Sequence, residues 1–420
     1  MRRSATAGWA LGVVLVLGTA ACAGNGTTGG SGPAASGAAT DGAAAPSTSP
    51  SPAGPAVAIA PAPGAAGVRL DQPVKVTVDK GTLTDVQVRS AAGARLAGAF
   101  DTQKAEWHST AGMVANTTYT VTVAASDGST PVTRSATFTT LKPKAVNSAR
   151  LNIGDDQVVG VGMPIILQFD RPVRNTDAVL KALKVTTSPQ VEGAWHWMEP
   201  ANWVGKNTEV WFRPKEYWPA GTKVSMSADL GSVELSPGVW GKRRYSTKFT
   251  VGDAVINTVD VQKHQLTMRR NGAVVKVIPI TTGKAGPKWS TRGGIKVITE
   301  KRAELRMDSR TLGIKDEADP DFYNEIEHWT LRLTYSGEFL HARPGSEWAF
   351  GKQNISHGCT GMSMANAKWL FDHSAVGDVV QYTGSDRKLE PGNGYTAWNM
   401  PYEKWAGAAA DGSTGTSSTA

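Results

Sequence analysis

Cys359 stands in Ser356-His357-Gly358-Cys359-Thr360-Gly361, a setting that suits a nucleophile. The thiolate is the attacking species, and a free thiol with a pKa of about 8.5 is only a few per cent ionised at neutral pH. Flanking glycines would let backbone N–H groups approach a reacting carbonyl, and histidines lie nearby. A helix predicted over about 363–374, with Ser363 as N-cap and Ala367, Leu370 and Phe371 as its apolar stripe, would favour the anion at its N-terminus. The chain holds two cysteines, Cys22 and Cys359, which excludes a disulfide-stapled scaffold and a zinc finger. A thiol needs a base, and there are seven histidines: His108, His196, His264, His328, His341, His357 and His373. His108 and His196 fall in segments that read as sandwiches, His373 ends the predicted helix, and His264 and His328 have no supporting context. His341 ends the strand-like run Tyr335–Ala342, eighteen residues before the cysteine, in an order that reverses the papain-like one.

The elements that must carry these residues are strands. Val74-Lys75-Val76-Thr77-Val78 and Thr118-Tyr119-Thr120-Val121-Thr122-Val123 alternate apolar with polar, as half-buried strands do. Segments 63–143 and 144–252 repeat one plan: a proline before an alternating strand, a glycine-aromatic stretch, and a closing Thr-rich strand. Each fits an immunoglobulin-like sandwich without its cysteine pair. The second is rich in tryptophan (Trp195, Trp197, Trp203, Trp211, Trp218, Trp240), read as core and inter-domain packing rather than a sugar platform. From 253 to 383 strands continue with longer loops. An extension expected to pack on that unit follows over 384–405, and residues 406–420 read as a disordered tail.

Across 420 residues the chain is 40% hydrophobic and 19% charged, enough for several cores, but it is not uniform. Between residues 4 and 68 the only ionisable acid or base besides Cys22 is Asp41. Met1-Arg2-Arg3, the apolar run Trp9–Leu17 and the small residues Gly18-Thr19-Ala20-Ala21 read as a secretory signal over 1–22. Cys22 stands at the cleavage point, as in a bacterial lipoprotein signal, although Thr19 replaces the usual leucine. Lipidation there would anchor the protein to the outer face of the cell membrane. Residues 23–62 would be a Gly/Ala/Ser/Pro tether reaching into the wall. The net charge of +8 is scattered rather than massed, which speaks against nucleic acid.

His341 followed by Ser356-His357-Gly358-Cys359 resembles the L,D-transpeptidase (YkuD) catalytic domain. The actinobacterial type is most similar, with two immunoglobulin-like domains before it and a Trp-rich extension behind. The likeness also lies in Ile278–Lys284, Met307-Asp308-Ser309, Tyr335-Ser336-Gly337 and Trp398–Tyr402. It implies a mainly β chain, the two sandwiches being followed by a β-sandwich catalytic domain with one short helix. It implies no metal or organic cofactor, peptidoglycan stem peptides as substrate, and carbapenem-type β-lactams as covalent inhibitors. Cys359 would attack the third residue of a stem tetrapeptide and release D-alanine, and an amine from a neighbouring stem would resolve the thioester as a 3→3 cross-link. His341 would be general base and then acid, its ring held by the Ala342 carbonyl in place of a triad carboxylate. The N–H groups of Gly358 and Cys359, with His357, would form the oxyanion hole, His357 alternatively fixing the loop. Tyr323, Ser336, Met307, Trp348 and Gly361 would border the substrate. The family's asparagine is Gly361 here and its lid tyrosine is Leu312. An L,D-carboxypeptidase using water, and a non-catalytic wall-binding protein, are the competing expectations.

Overall fold

The computed structural model describes residues 54–199 and 208–410. The expected signal, Cys22, most of the tether and Trp203 lie outside the described residues.

The first sandwich packs a sheet of Ala56–Ala60, Lys75–Asp79, Glu106–Ser109 and Gly98–Phe100 on one of Thr82–Ser90, Thr118–Ser126 and Pro131–Thr139. Alternation puts Val76, Val86, Val88, Val121 and Val123 inside with Trp107 and Phe138. The tether therefore ends before residue 62: Ala56–Ala60 pairs antiparallel with Lys75–Asp79, and Val57 and Ile59 pack against the core.

The second sandwich sets Gly193–Met198, Glu209–Pro214, Ile165–Phe169 and Ala149–Leu151 against Gln157–Val159, Arg244–Val251, Lys223–Asp229 and Leu183–Ser188. Trp211, Trp218 and Trp240 are fully buried, while Trp195 and Trp197 are half-buried against the same core. The indoles are packing groups, as expected. This core runs on into the third unit through Val297 and Val379. At the junction the N–H groups of Gly160 and Gly162 donate to the carbonyls of Val376 and Gly377, both at 2.8 Å. A Cβ at Gly160 would overlap Asp378, so only glycine permits this approach.

The third unit packs a five-stranded sheet, in the order Ala273–Pro279, Gln265–Arg270, Val255–Asp260, Val379–Thr383 and Gly294–Val297, near a four-stranded one. The latter runs Glu300–Asp308, Asn324–Arg332, Phe339–Ala342, Thr360–Met362. Val259, Leu266, Ile278, Leu331, Leu340 and Met362 fill the space between, closed by helix Met364–Asp372 through Ala367 and Leu370. Ser363 caps that helix, its Oγ accepting from Asn366 N.

The C-terminal segment departs from expectation twice. It packs on the second sandwich as much as on the catalytic unit: Trp405 Nε1 donates to Ala194 O at 2.9 Å and Trp398 Nε1 to Gly162 O at 2.7 Å. The Arg213 guanidinium lies against the rings of Trp398, Tyr402 and Trp405, and its Nη2 donates to Met400 O. Residues 406–410, expected to be disordered, continue the helix Tyr402–Ala410, whose run of alanines favours that state.

Candidate active site

Strand register brings the sulfur to the imidazole. Phe339–Ala342 and Thr360–Met362 are parallel neighbours with His341 opposite Gly361, so Cys359 leads into the strand beside the histidine. The Cys359 thiol donates to the Gly337 carbonyl oxygen at 3.4 Å and is among the groups that raise the His341 pKa. Cys359 is half-buried, whereas His341 is 2% exposed. The predicted helix N-terminus does not reach the thiol. Thr360–Met362 intervenes in extended form, about 10 Å of chain at roughly 3.3 Å per residue, beyond the range of a helix dipole's first turn.

His341 Nδ1 lies 2.8 Å from the Ala342 carbonyl oxygen, as expected, and also 2.9 Å from Glu327 Oε2. The carboxylate that the Ala342 carbonyl was expected to replace is thus present beside it. Burial alone would lower the His341 pKa, but Cys359 and the bonded Glu327 outweigh it and the net shift is upward. Burial likewise opposes ionisation of Glu327, yet the bond to His341 brings it net below the usual carboxylate range. Sequence reasoning missed Glu327: in Asn324-Glu325-Ile326-Glu327-His328 nothing distinguishes the acid that turns inward.

The loop before Cys359 is tied at several points. Ser356 Oγ donates to Cys359 O at 2.6 Å and accepts from Gly358 N at 3.1 Å. Thr291 Oγ1 donates to Gly358 O at 2.8 Å, and Gly358 has φ +128°, a conformation for glycine alone. The Gly358 N–H is therefore occupied rather than aimed into an oxyanion hole. Among the described residues the Cys359 N–H has no acceptor. His357 takes the loop-fixing role: Nε2 bonds Asp321 Oδ1 at 2.8 Å and the ring stacks on Tyr323. Asp321 also accepts from Lys284, Lys288 and Trp289. Burial lowers the His357 pKa despite Asp321. Tyr323, its phenol pushed up to about 12 by burial and by the Cys359 charge, stays a proton donor.

The remaining expected residues separate. Ser336 lies in the turn before Gly337, its Oγ accepting from Asn393 Nδ2 at 2.8 Å, so the extension buttresses the site. Met307 is near the end of Glu300–Asp308. Trp348 is 60% exposed and makes no ring contact among the described residues. Gly361 offers no side-chain contact to substrate: it is buried, doubly hydrogen-bonded to Thr281, and a Cβ there would lie 3.0 Å from Arg343 Cβ. Arg343 fills the space the family's asparagine would need. Of the other histidines, His264 bonds Asn354, His373 bonds Trp369 O of its own helix, and His196 bonds Trp405 O.

Near Cys359 lies a charge cluster that the sequence did not signal. Glu338 Oε1 accepts from Arg292 N and Nη1, both at 3.0 Å, and Oε2 from Lys296 Nζ at 2.5 Å. Arg292 Nε also reaches Glu390 in the C-terminal extension. Lys296 is wholly buried and its pKa is lowered, burial outweighing Glu338.

Residues 65–234 match the family model described as bacterial Ig domain, and residues 255–381 the one described as L,D-transpeptidase catalytic domain. L,D-transpeptidase 2 of Mycobacterium tuberculosis is 36% identical over 81% of this chain and 82% of its own. L,D-transpeptidase 5 of the same species is 33% identical over 83% of this chain and 76% of its own. The crystal structure of L,D-transpeptidase 3 from M. tuberculosis with a faropenem-derived adduct is 27% identical, with a TM-score of 0.46, covering 56% of this chain and 98% of that one.

Proposed function

We propose, from the premise that this chain belongs to the L,D-transpeptidase family, that it forms 3→3 cross-links in peptidoglycan by acyl transfer through Cys359. The carrying observation is that partly buried Cys359 enters the strand beside a buried His341 whose pKa Cys359 and Glu327 raise. The thiolate attacks the carbonyl of the third residue of a stem tetrapeptide, forming the C–S bond. Collapse breaks the amide C–N bond, and the leaving D-alanine amine takes its proton from the His341 imidazolium. An acceptor amine then attacks the thioester, its surplus proton passes to His341, and the C–S bond breaks to return the thiolate–imidazolium pair. The oxyanion is met by the free Cys359 N–H and by the Tyr323 hydroxyl, a donor kept protonated. A carbapenem presents an equivalent strained carbonyl, and acylation of Cys359 by such β-lactams follows from the same geometry.

The protein acts outside the cytoplasm, held to the membrane by a lipid on Cys22, with residues 23–55 as its tether; the n-region, apolar core and small residues before Cys22 support this. Because Cys359 is only partly buried, water also competes for the thioester, so hydrolytic release of tripeptide is the second reading. Incubating the ectodomain with defined tetrapeptide stems, with and without an amine acceptor, and separating the products by mass separates the two. Dimers linked between third residues are expected, tripeptide alone would make the protein a carboxypeptidase, and unchanged tetrapeptide would make it a binder.

A further inference from the structure

Nδ1 of His341 has two acceptors at nearly equal distance, a neutral carbonyl and a carboxylate. The Ala342 carbonyl suffices to fix the tautomer and tilt of the ring. The Glu327 carboxylate adds a charge, and its surroundings show what that charge answers. Glu327 is 9% exposed, and its only side-chain hydrogen-bond partner among the described residues is His341. Burying a carboxylate is costly unless a cation meets it, and the one cation hydrogen-bonded to this acid is the ring when it carries its second proton. The other titratable groups about the pair are Cys359, Tyr323, His328 and Arg343, and none of the last three hydrogen-bonds Glu327. Apart from His341, no group among the described residues is bonded to it as a counter-ion.

We propose that Glu327 is a positioning residue that turns the expected dyad into a Cys359–His341–Glu327 triad, holding the imidazolium beside the sulfur while Ala342 O orients the ring. The inference rests on the thiol acyl-transfer reading above. Removing the negative charge weakens the imidazolium's hold on its proton, so the ring loses that proton at lower pH. The alkaline limb of the acylation profile then moves toward acid, and the base that receives the acceptor's proton becomes weaker.

The test is single-turnover acylation of Cys359 by imipenem across pH in the full ectodomain, for wild type, Glu327→Gln and Glu327→Asp. For Glu327→Gln the alkaline limb is expected to move down by about one unit or more and the plateau rate to fall about tenfold. Glu327→Asp, which keeps the charge, should hold the limb within about half a unit of wild type. A purely structural role would change the melting temperature and leave the limb in place. A Glu327→Gln limb and rate within about twofold of wild type would overturn the triad while leaving acyl transfer intact. Titration of the His341 ring by NMR in the wild type is the independent readout. It serves if wild type fails to acylate, which would sink the enzymatic reading instead, or if Glu327→Gln fails to fold. The ring is expected to stay doubly protonated to at least about pH 8, and loss of the proton near the ordinary value of about 6.5 would overturn the inference.

Discussion

Replacing Glu338 by Gln would leave two buried cations short of a counter-charge. Arg292, with 8% of its side chain exposed, keeps Glu390 at 2.6 Å, so the cost falls chiefly on Lys296. With 0% of its side chain exposed, Lys296 keeps only the Tyr382 ring face at 3.7 Å. Removing one partner of a buried ion pair costs about 3–5 kcal/mol, and Lys296 relieves part of this by shedding its proton, since burial already lowers its pKa. A loss of about 3 kcal/mol at neutral pH follows, or roughly 6–12 °C in melting temperature. The sign of its pH dependence is fixed. With its pKa lowered, the folded lysine gives up its proton at a lower pH than the unfolded one, which holds it to about pH 10.4, so the variant gains stability relative to its unfolded chain as pH rises toward that value. Lys296→Met added to Glu338→Gln should recover most of the loss, because the stranded charge is gone. The packed units need not unfold as one, so the readout is hydrogen exchange in Asn324–Arg332 and Phe339–Ala342 against urea. Glu338→Gln within about 0.5 kcal/mol of wild type, or a double variant showing the sum of the single losses, would refute this reasoning.

Three further outcomes are expected. Gly361→Asn should cost about 1–3 kcal/mol by overpacking against Arg343 without raising the acylation rate, and Arg343→Ala should relieve it, as thermal unfolding and carbapenem acylation would register. Asp378, raised to about 7 by burial that its bond from Ala375 only partly offsets, holds a proton the unfolded chain releases near pH 4. Stability should therefore fall as pH climbs through that window, and Asp378→Asn should flatten the urea midpoint against pH. Asp321, held well below the usual carboxylate range by Lys284 and then His357, stays ionised in mild acid. Asp321→Asn should slow acylation by about three- to tenfold as the His357 loop loosens, with the melting temperature within about 2 °C of wild type.

The nearness of Cys359 and His341 and the three β units were legible because each leaves a local mark: a glycine-flanked cysteine, a strand-end histidine, alternating valines. Ser363 as helix cap was readable for the same reason. What stayed hidden depends on partners distant in sequence. Glu327 reaches His341 across neighbouring strands, Glu338 meets Lys296 from another sheet, and Asn393 arrives from the C-terminal extension. Gly361 was expected to border the substrate, but its meaning lies in the Arg343 side chain that crowds the space a Cβ would take. The helix dipole was misjudged because a three-residue strand separates cysteine from cap. The tether was drawn too long because Ala56–Ala60 has the composition of the linker and the pairing of a strand.

The most direct test of the account is the intact mass of the ectodomain after exposure to imipenem, for wild type, Cys359→Ala and His341→Ala. One equivalent of adduct is expected on wild type, none on Cys359→Ala, and only slow, sub-stoichiometric labelling on His341→Ala. An unmodified wild type, an adduct that persists without Cys359, or full-speed labelling without His341 would contradict it.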